Sequence, residues 1–177
     1  DTGEELWSTP AQTGVIAPPV TFTVDGEQYV TVVAGWGGAF ALAAGGAAEK
    51  LKLKNRGRIL TYKIGGTESL PPVGADAPIP APPPLTASAE DIAHGKVMYH
   101  KYCGVCHGRG VKGGGVLPDL RHMSAGKHVI FKEIVIDGVL KDNGMVGFKD
   151  VLTEDDAKAI QAFVISEAHI LQSELAT

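Results

Sequence analysis

Cys103-Gly104-Val105-Cys106-His107 sets two thiols one helical turn apart and follows them at once with an imidazole. Two thiols at that spacing can add to the two vinyl groups of a single haem. The adjacent histidine then points a ring nitrogen at the iron, and the C-x-x-C-H order is the attachment pattern of a c-type haem. Paired cysteines have other uses. A thioredoxin-like redox pair expects a βαβ setting, which the neighbouring residues do not supply. A zinc site needs further paired ligands, and His122 is the only evident third donor. A disulfide between residues this close would constrain the unfolded chain little.

A haem iron held by His107 on one side takes a second axial ligand from elsewhere. Met145 lies 38 residues downstream, in Asn143-Gly144-Met145-Val146-Gly147-Phe148. Flanking glycines let a backbone come close to a flat ligand face. Met123, in Arg121-His122-Met123, is the runner-up, with a histidine behind it. Met98 falls inside a helical pattern and reads as packing, the commoner use of methionine. The loop context favours Met145. A thioether opposite an imidazole raises the reduction potential, and two filled axial positions suit electron transfer better than oxygen chemistry.

The elements that must hold these residues lie in the last of three compositional zones. Residues 88–177 carry all six His, all three Met and both Cys. Ser88 with Asp91 resembles a capping box ahead of a helix through Ile92, Gly95, Tyr99 and Tyr102. Thr153 with Asp156 forms a second, and Glu154, Asp155 and Asp156 put acids where the helix dipole favours them. That helix continues through Ala157, Ile160, Phe163, Val164 and Glu167. A shorter helix is predicted from Lys127 to Ile136. The five glycines between Gly108 and Gly115 make a loop.

Residues 1–66 read as β. Val20–Val24 alternates apolar and polar, Asp25-Gly26 follows, and Glu27–Ala34 continues. Asp-Gly between two β-rich runs predicts a hairpin with a primed turn. A further strand is predicted over Arg58–Ile64, and Phe40–Ala48 reads as loop or short helix. Three or four strands in so short a zone leave unpaired edges and bury little surface. Residues 1–66 therefore read as the end of a larger β domain. Between the two zones, residues 67–87 hold seven of the eleven prolines. That segment reads as an extended, semi-rigid tether, and residues 71–87 could span roughly 50 Å.

Residues 88–177 resemble a class I cytochrome c domain. The resemblance rests on the haem motif, on Gly95 and Tyr99 ahead of it, and on Ile160 and Phe163 in the last helix. It implies that the first and last helices cross near those residues and cover one haem edge. Leu117-Pro118-Asp119-Leu120 resembles the segment whose proline carbonyl receives the other nitrogen of the haem histidine, a role that falls on Pro118. Arg121 could reach a haem propionate, or be a solvated surface arginine.

The front zone carries a second resemblance. Thr2-Gly3-Glu4-Glu5-Leu6-Trp7 looks like the tail of the tryptophan docking motif of pyrroloquinoline-quinone dehydrogenases, eight-bladed β-propellers in which it staples adjacent blades. Gly14-Val15-Ile16-Ala17-Pro18-Pro19 and Gly35-Trp36-Gly37-Gly38 look like the last blade. In order, with a proline-rich linker and a cytochrome c after them, these motifs resemble the C-terminal part of a quinohaemoprotein alcohol dehydrogenase. The implied fold is a partial all-β last blade (1–66), a linker (67–87) and an all-α cytochrome c domain (88–177). The implied cofactors are haem c, with PQQ and calcium in the complete enzyme. Trp36 and Gly37 could lie near the quinone, and a blade-packing role for Trp36 competes with that. The family's catalytic aspartate, calcium ligands and vicinal disulfide lie upstream, so no catalytic base is assigned here.

Composition narrows the alternatives. A net charge of −4 and a pI near 5.8 argue against nucleic-acid binding. No apolar run reaches the ~18 residues of a membrane span. The acidic start, Asp1-Thr2-Gly3-Glu4-Glu5, does not read as a signal peptide. The alternation of Lys50, Lys52, Lys54, Arg56 and Arg58 reads as a solvated face, or as a patch that steers an acidic partner. His94, His100, His122, His128 and His169 have no pairing that the sequence supports.

The expected function is electron transfer inside an alcohol dehydrogenase, from the propeller's quinone through the haem to an external acceptor. That acceptor would be a small copper protein, a cytochrome or a membrane subunit. Haem attachment outside the cytoplasm implies a periplasmic protein with an upstream secretion signal. Two alternatives stand beside it: a free-standing small electron carrier with a β appendage, and a subunit of a membrane-bound dehydrogenase of the same family.

Overall fold

The computed structural model describes residues 2–37, 55–75, 77–113 and 115–176. Phe40–Ala48, Gly38 and the lysines 50, 52 and 54 lie outside the described residues. The chain divides into two compact units, Asp1–Asp76 and Ala77–Thr177.

The first unit is a three-stranded antiparallel sheet in the order β1 (Val20–Val24), β2 (Glu27–Ala34), β3 (Arg58–Lys63). The β1–β2 turn has positive φ at both Asp25 (51°) and Gly26 (81°), the backbone a primed turn demands. Val24 pairs with Glu27 across it, and Ala34 pairs with Arg58 at the far end of the second ladder. Cross-strand pairs fix the register. Phe22 stacks on Tyr29, the Thr31 and Thr61 hydroxyls meet at 2.8 Å, and Lys63 reaches Glu27 at 2.7 Å.

Trp36 closes the end of this sheet. It is buried, its backbone N–H donates to Asn55 Oδ1 at 2.8 Å, and its indole lies flush on Gly14. The Gly35 N–H donates to the Gly14 carbonyl at 2.7 Å, so residues 14–15 serve as an extra fringe on β2. Trp7 rests edge-on against Tyr62 at 5.2 Å. β1 is exposed along its length, and Val20, Phe22 and Val24 present apolar side chains largely to solvent.

The second unit is helical. α1 (Ala89–Tyr102) and α4 (Glu154–Leu175) form its frame, each begun by a full capping box, Ser88 with Asp91 and Thr153 with Asp156. Each N-cap is worth about 1 kcal/mol. The helices cross where Gly95 meets Ala159. A Cβ at Gly95 would run into the Ala159 carbonyl, so only glycine lets the backbones approach this closely. Tyr99, Ile160, Phe163 and Val164 fill the crossing, and Val111, Phe131, Val135 and Leu152 extend the core.

Between the frame helices the chain is irregular. The single helix predicted over Lys127–Ile136 is two pieces. α3 (Ala125–Val129) stops at Ile130, and Glu133–Asp137 then makes a π-turn that ends on left-handed Gly138. β-branched residues cluster at the break and through the π-turn, where their fixed χ1 weakens regular α-helix. Ile134, Val135 and Ile136 are all buried, and the wider turn presents three consecutive side chains to the core.

The proline-rich segment is partly held. Gln12 donates to the Pro71 carbonyl and Arg56 to that of Gly74 within the first unit. In the second, His169 Nε2 donates to the Pro83 carbonyl at 2.8 Å and Gln172 Nε2 to that of Pro80 at 3.4 Å.

Candidate metal centre

The thiols and imidazole sit on one short turn, α2 (Gly104–His107), continuous with the end of α1. The Cys103 N–H donates to the Tyr99 carbonyl at 2.8 Å, and the His107 N–H to that of Cys103 at 2.9 Å. This brings Cys103, Cys106 and His107 round the same turn. Both cysteines are free thiols, Cys103 buried and Cys106 exposed. Burial, reinforced by the neighbouring Cys106, pushes the Cys103 thiol up to about 11.

His107 Nδ1 donates to the Pro118 carbonyl in a long hydrogen bond of 3.4 Å. Burial lowers the imidazole pKa and the Pro118 contact opposes it, so the ring is neutral at pH 7. With its proton on Nδ1, the ring keeps a lone pair on Nε2, the form a metal requires. The loop that brings Pro118 here folds tightly against α2. The Gly113 N–H donates to the His107 carbonyl at 2.9 Å, and the Leu117 N–H to that of Gly113 at 3.2 Å.

The Tyr99 hydroxyl anchors the other end of this turn, donating to the Gly108 carbonyl at 2.7 Å. Burial raises its pKa, which keeps it a donor at any ordinary pH. The sequence marked Tyr99 only as a residue near the expected crossing of the first and last helices. The signal for a second role is that a fully buried tyrosine must find a partner for its hydroxyl.

Arg121 lies on a single 3₁₀ turn, Leu120–His122, and is gripped by its neighbour. Nε donates to Asp119 Oδ1 at 3.0 Å and Nη2 to Asp119 Oδ2 at 2.6 Å. The bidentate pair fixes the guanidinium and offsets its charge. His122 Nε2 lies 3.8 Å from the same carboxylate. Met123 is buried in the core, whereas Met145 packs against that core only in part. Trp36 and Gly37 belong to the first unit, where Trp36 is buried against Gly14.

The donor set and its surroundings fit a covalently held haem. Two free thiols flank one turn, and a neutral imidazole offers one nitrogen. Cys103, Val111 and Met123 belong to one apolar cluster, and Tyr102, Met145 and Phe148 pack against it. Among the described residues no group of three or more His, Cys, Asp or Glu could hold a bare metal ion, which disfavours the zinc alternative. Sequence reasoning missed two further contacts. His94 Nε2 meets Asp156 Oδ1 at 2.8 Å between α1 and α4, and Gln161 Nε2 donates to the carbonyl of buried His128 at 2.7 Å.

Comparison with known proteins supplies the rest. Residues 90–164 match the family described as cytochrome c oxidase, cbb3-type, subunit III. The chain is 44% identical, over 98% of its length, to quinohemoprotein alcohol dehydrogenase ADH-IIG of Pseudomonas putida, of which it spans 24%. It is 37% identical, over 94% of its length, to the dehydrogenase subunit of alcohol dehydrogenase (quinone) of Gluconobacter oxydans, of which it spans 22%. The solved structure of ADHIIG from Pseudomonas putida HK5 superposes with a TM-score of 0.85 at 42% identity, covering 97% of this chain and 25% of that one. The chain thus spans about a quarter of the length of the relatives it matches. What it matches is their C-terminal cytochrome part.

Proposed function

We propose for this chain, which is similar over nearly its whole length to quinohemoprotein alcohol dehydrogenases of which it spans about a quarter, the role of electron relay, from the quinone-bearing portion of a complete alcohol dehydrogenase to an external acceptor. Haem c, when bound, supplies a one-electron iron centre. Cys103 and Cys106 hold it through two thioethers. His107 offers Nε2 to the iron, and Pro118 holds the proton on the opposite ring nitrogen and so fixes the tautomer. Met145 would offer its thioether sulfur to the iron from its loop. Arg121, gripped by Asp119, is proposed to lie toward a haem propionate. Val111, Tyr102 and Phe148 exclude water from this side of the core.

The single observation that carries the reading is the α2 turn, with its free thiols and its carbonyl-anchored imidazole. We place PQQ and calcium in the complete enzyme, with Trp36 and Gly37 toward the quinone and the three-stranded sheet as the last blade of its propeller. The periplasm is the compartment proposed. No described helix is long and apolar enough to cross a membrane. A second reading, a subunit of a membrane-bound enzyme, takes support from relatives named as dehydrogenase subunits.

The test is made on the protein from its natural source. Its denatured intact mass should be several-fold above 18.5 kDa and include one covalent haem. Alcohol should reduce that haem. Deleting residues 71–84 should stop haem reduction while leaving alcohol-dependent dye reduction intact. A mass of 18.5 kDa plus one haem, with no alcohol response, would instead make it a free-standing carrier. Recovery from washed membranes with a cytochrome partner would favour the subunit reading.

A further inference from the structure

Met145 sits in a loop whose two ends touch. The π-turn Glu133–Asp137 stops at Gly138, left-handed with φ 69° and ψ 38°. Nine residues later Gly147 returns beside it. A Cβ on Gly147 would lie 2.8 Å from the Ile136 carbonyl oxygen and 2.9 Å from the Gly138 nitrogen. A Cβ on Gly138 would lie 2.7 Å from the Gly147 nitrogen. Every obstacle is backbone, so no rotamer change makes room.

Hydrogen bonds lock this neck. The Phe148 N–H donates to the Val135 carbonyl at 2.8 Å, and the Val139 N–H to that of Glu133 at 3.2 Å. Val135 and Ile136, on the supporting side, are buried in the core. Within the loop, the Lys141 N–H donates to the Gly138 carbonyl at 2.9 Å and the Met145 N–H to that of Leu140 at 3.2 Å. Met145 lies two residues from the neck, its N–H bonded inside the loop that the neck closes.

We infer that Gly138 and Gly147 are positioning residues, a side-chain-free neck that sets where the Met145 sulfur is presented. The inference rests on the reading of Met145 as the iron ligand and adds what fixes it. A wider neck moves the loop away from the core and raises the fraction of molecules with the methionine off the iron. Gly147 is the informative site, because its φ is not positive. An alanine there tests close approach alone, without left-handed strain.

The holoprotein carrying Gly147→Ala is compared with wild type and with Ala168→Gly, which destabilises the last helix away from the core cluster around Met145. The readouts are the thioether-to-ferric-iron charge-transfer band, the reduction potential, and binding of added imidazole to the ferric form. Gly147→Ala should weaken the band, lower the potential and admit imidazole at a concentration about tenfold lower, whereas Ala168→Gly should change stability and leave all three. Equal responses from the two variants, or no response from Gly147→Ala, would overturn the inference.

A second measurement does not depend on Gly147→Ala folding. In Met145→Leu the Phe148 and Val139 amides should keep their protection from hydrogen exchange, because the neck holds without the ligand. Loss of protection would make the neck a consequence of ligation and sink the proposal. If Met145→Leu retains the wild-type band, Met145 is not the ligand, and the underlying reading fails separately.

Discussion

His94 on α1 and Asp156 on α4 meet at 2.8 Å, beside the point where Gly95 touches Ala159. Asp156 is also the reciprocal half of the Thr153 cap. One carboxylate thus begins the last helix and ties it to the first. Its pKa falls from 3.8 to about 2, chiefly through the Thr153 hydroxyl, then the Thr153 backbone N–H, then His94.

A depressed carboxylate pKa stabilises the fold above the unfolded value, and that contribution disappears as pH drops through the folded value. The holoprotein should therefore lose stability between pH 4 and about 2. Asp156→Ala should lower stability by about 1 kcal/mol at pH 5, the worth of a cap, and flatten the acid limb. Urea midpoints at several pH values check both. An unchanged acid limb in the variant would show that other carboxylates govern it.

Gly95→Ala should cost about 3 kcal/mol, the upper end of what extra atoms in a packed core impose. The roughly 1 kcal/mol that alanine gains over glycine in a helix does not offset it, because the added Cβ meets the Ala159 carbonyl and not a movable side chain. Denaturant midpoints of the two holoproteins measure this. A stabilised variant would mean that the helices can part at little cost.

Replacing Cys103 and Cys106 together by serine should abolish covalent haem, while either single replacement should leave one thioether. Denatured intact mass distinguishes the three proteins. Covalent haem surviving in the double variant would exclude this turn as the attachment site.

Met123→Leu should cost under about 1.5 kcal/mol, as volume-conserving core swaps do, and should leave the haem spectrum as it was. Met123 is enclosed by core side chains, whereas Met145 rides the loop at the core's edge. A Met123→Leu protein with an altered charge-transfer band would transfer the axial role to Met123.

What could be read before the fold was known is local. The turn at Asp25-Gly26 and the boxes at Ser88 and Thr153 each need only a few adjacent residues, and the structure has all three. The thiol–imidazole turn is local in the same sense. The π-turn was not legible, because Ile134, Val135 and Ile136 take their places from the core they fill and not from helical periodicity. The partners of His94, His128 and His169 lie 62, 33 and 86 residues away. Such pairings exist only once the helix crossing and the path of the proline segment are fixed. The close approach of Gly138 and Gly147 is likewise invisible in a list of glycines.

The hold on the proline segment has a periodic side. Proline has no N–H, so these residues can only accept, and His169 and Gln172 donate. The two acceptors, Pro80 and Pro83, are three residues apart, as are the two donors, and three residues is the repeat of polyproline II. Removing a residue between Pro80 and Pro83 should pull one of the two carbonyls off its donor and free that end of the segment. The spacing of these two carbonyls is thus fixed by the helix they meet, in a stretch whose composition alone suggests that any length would serve.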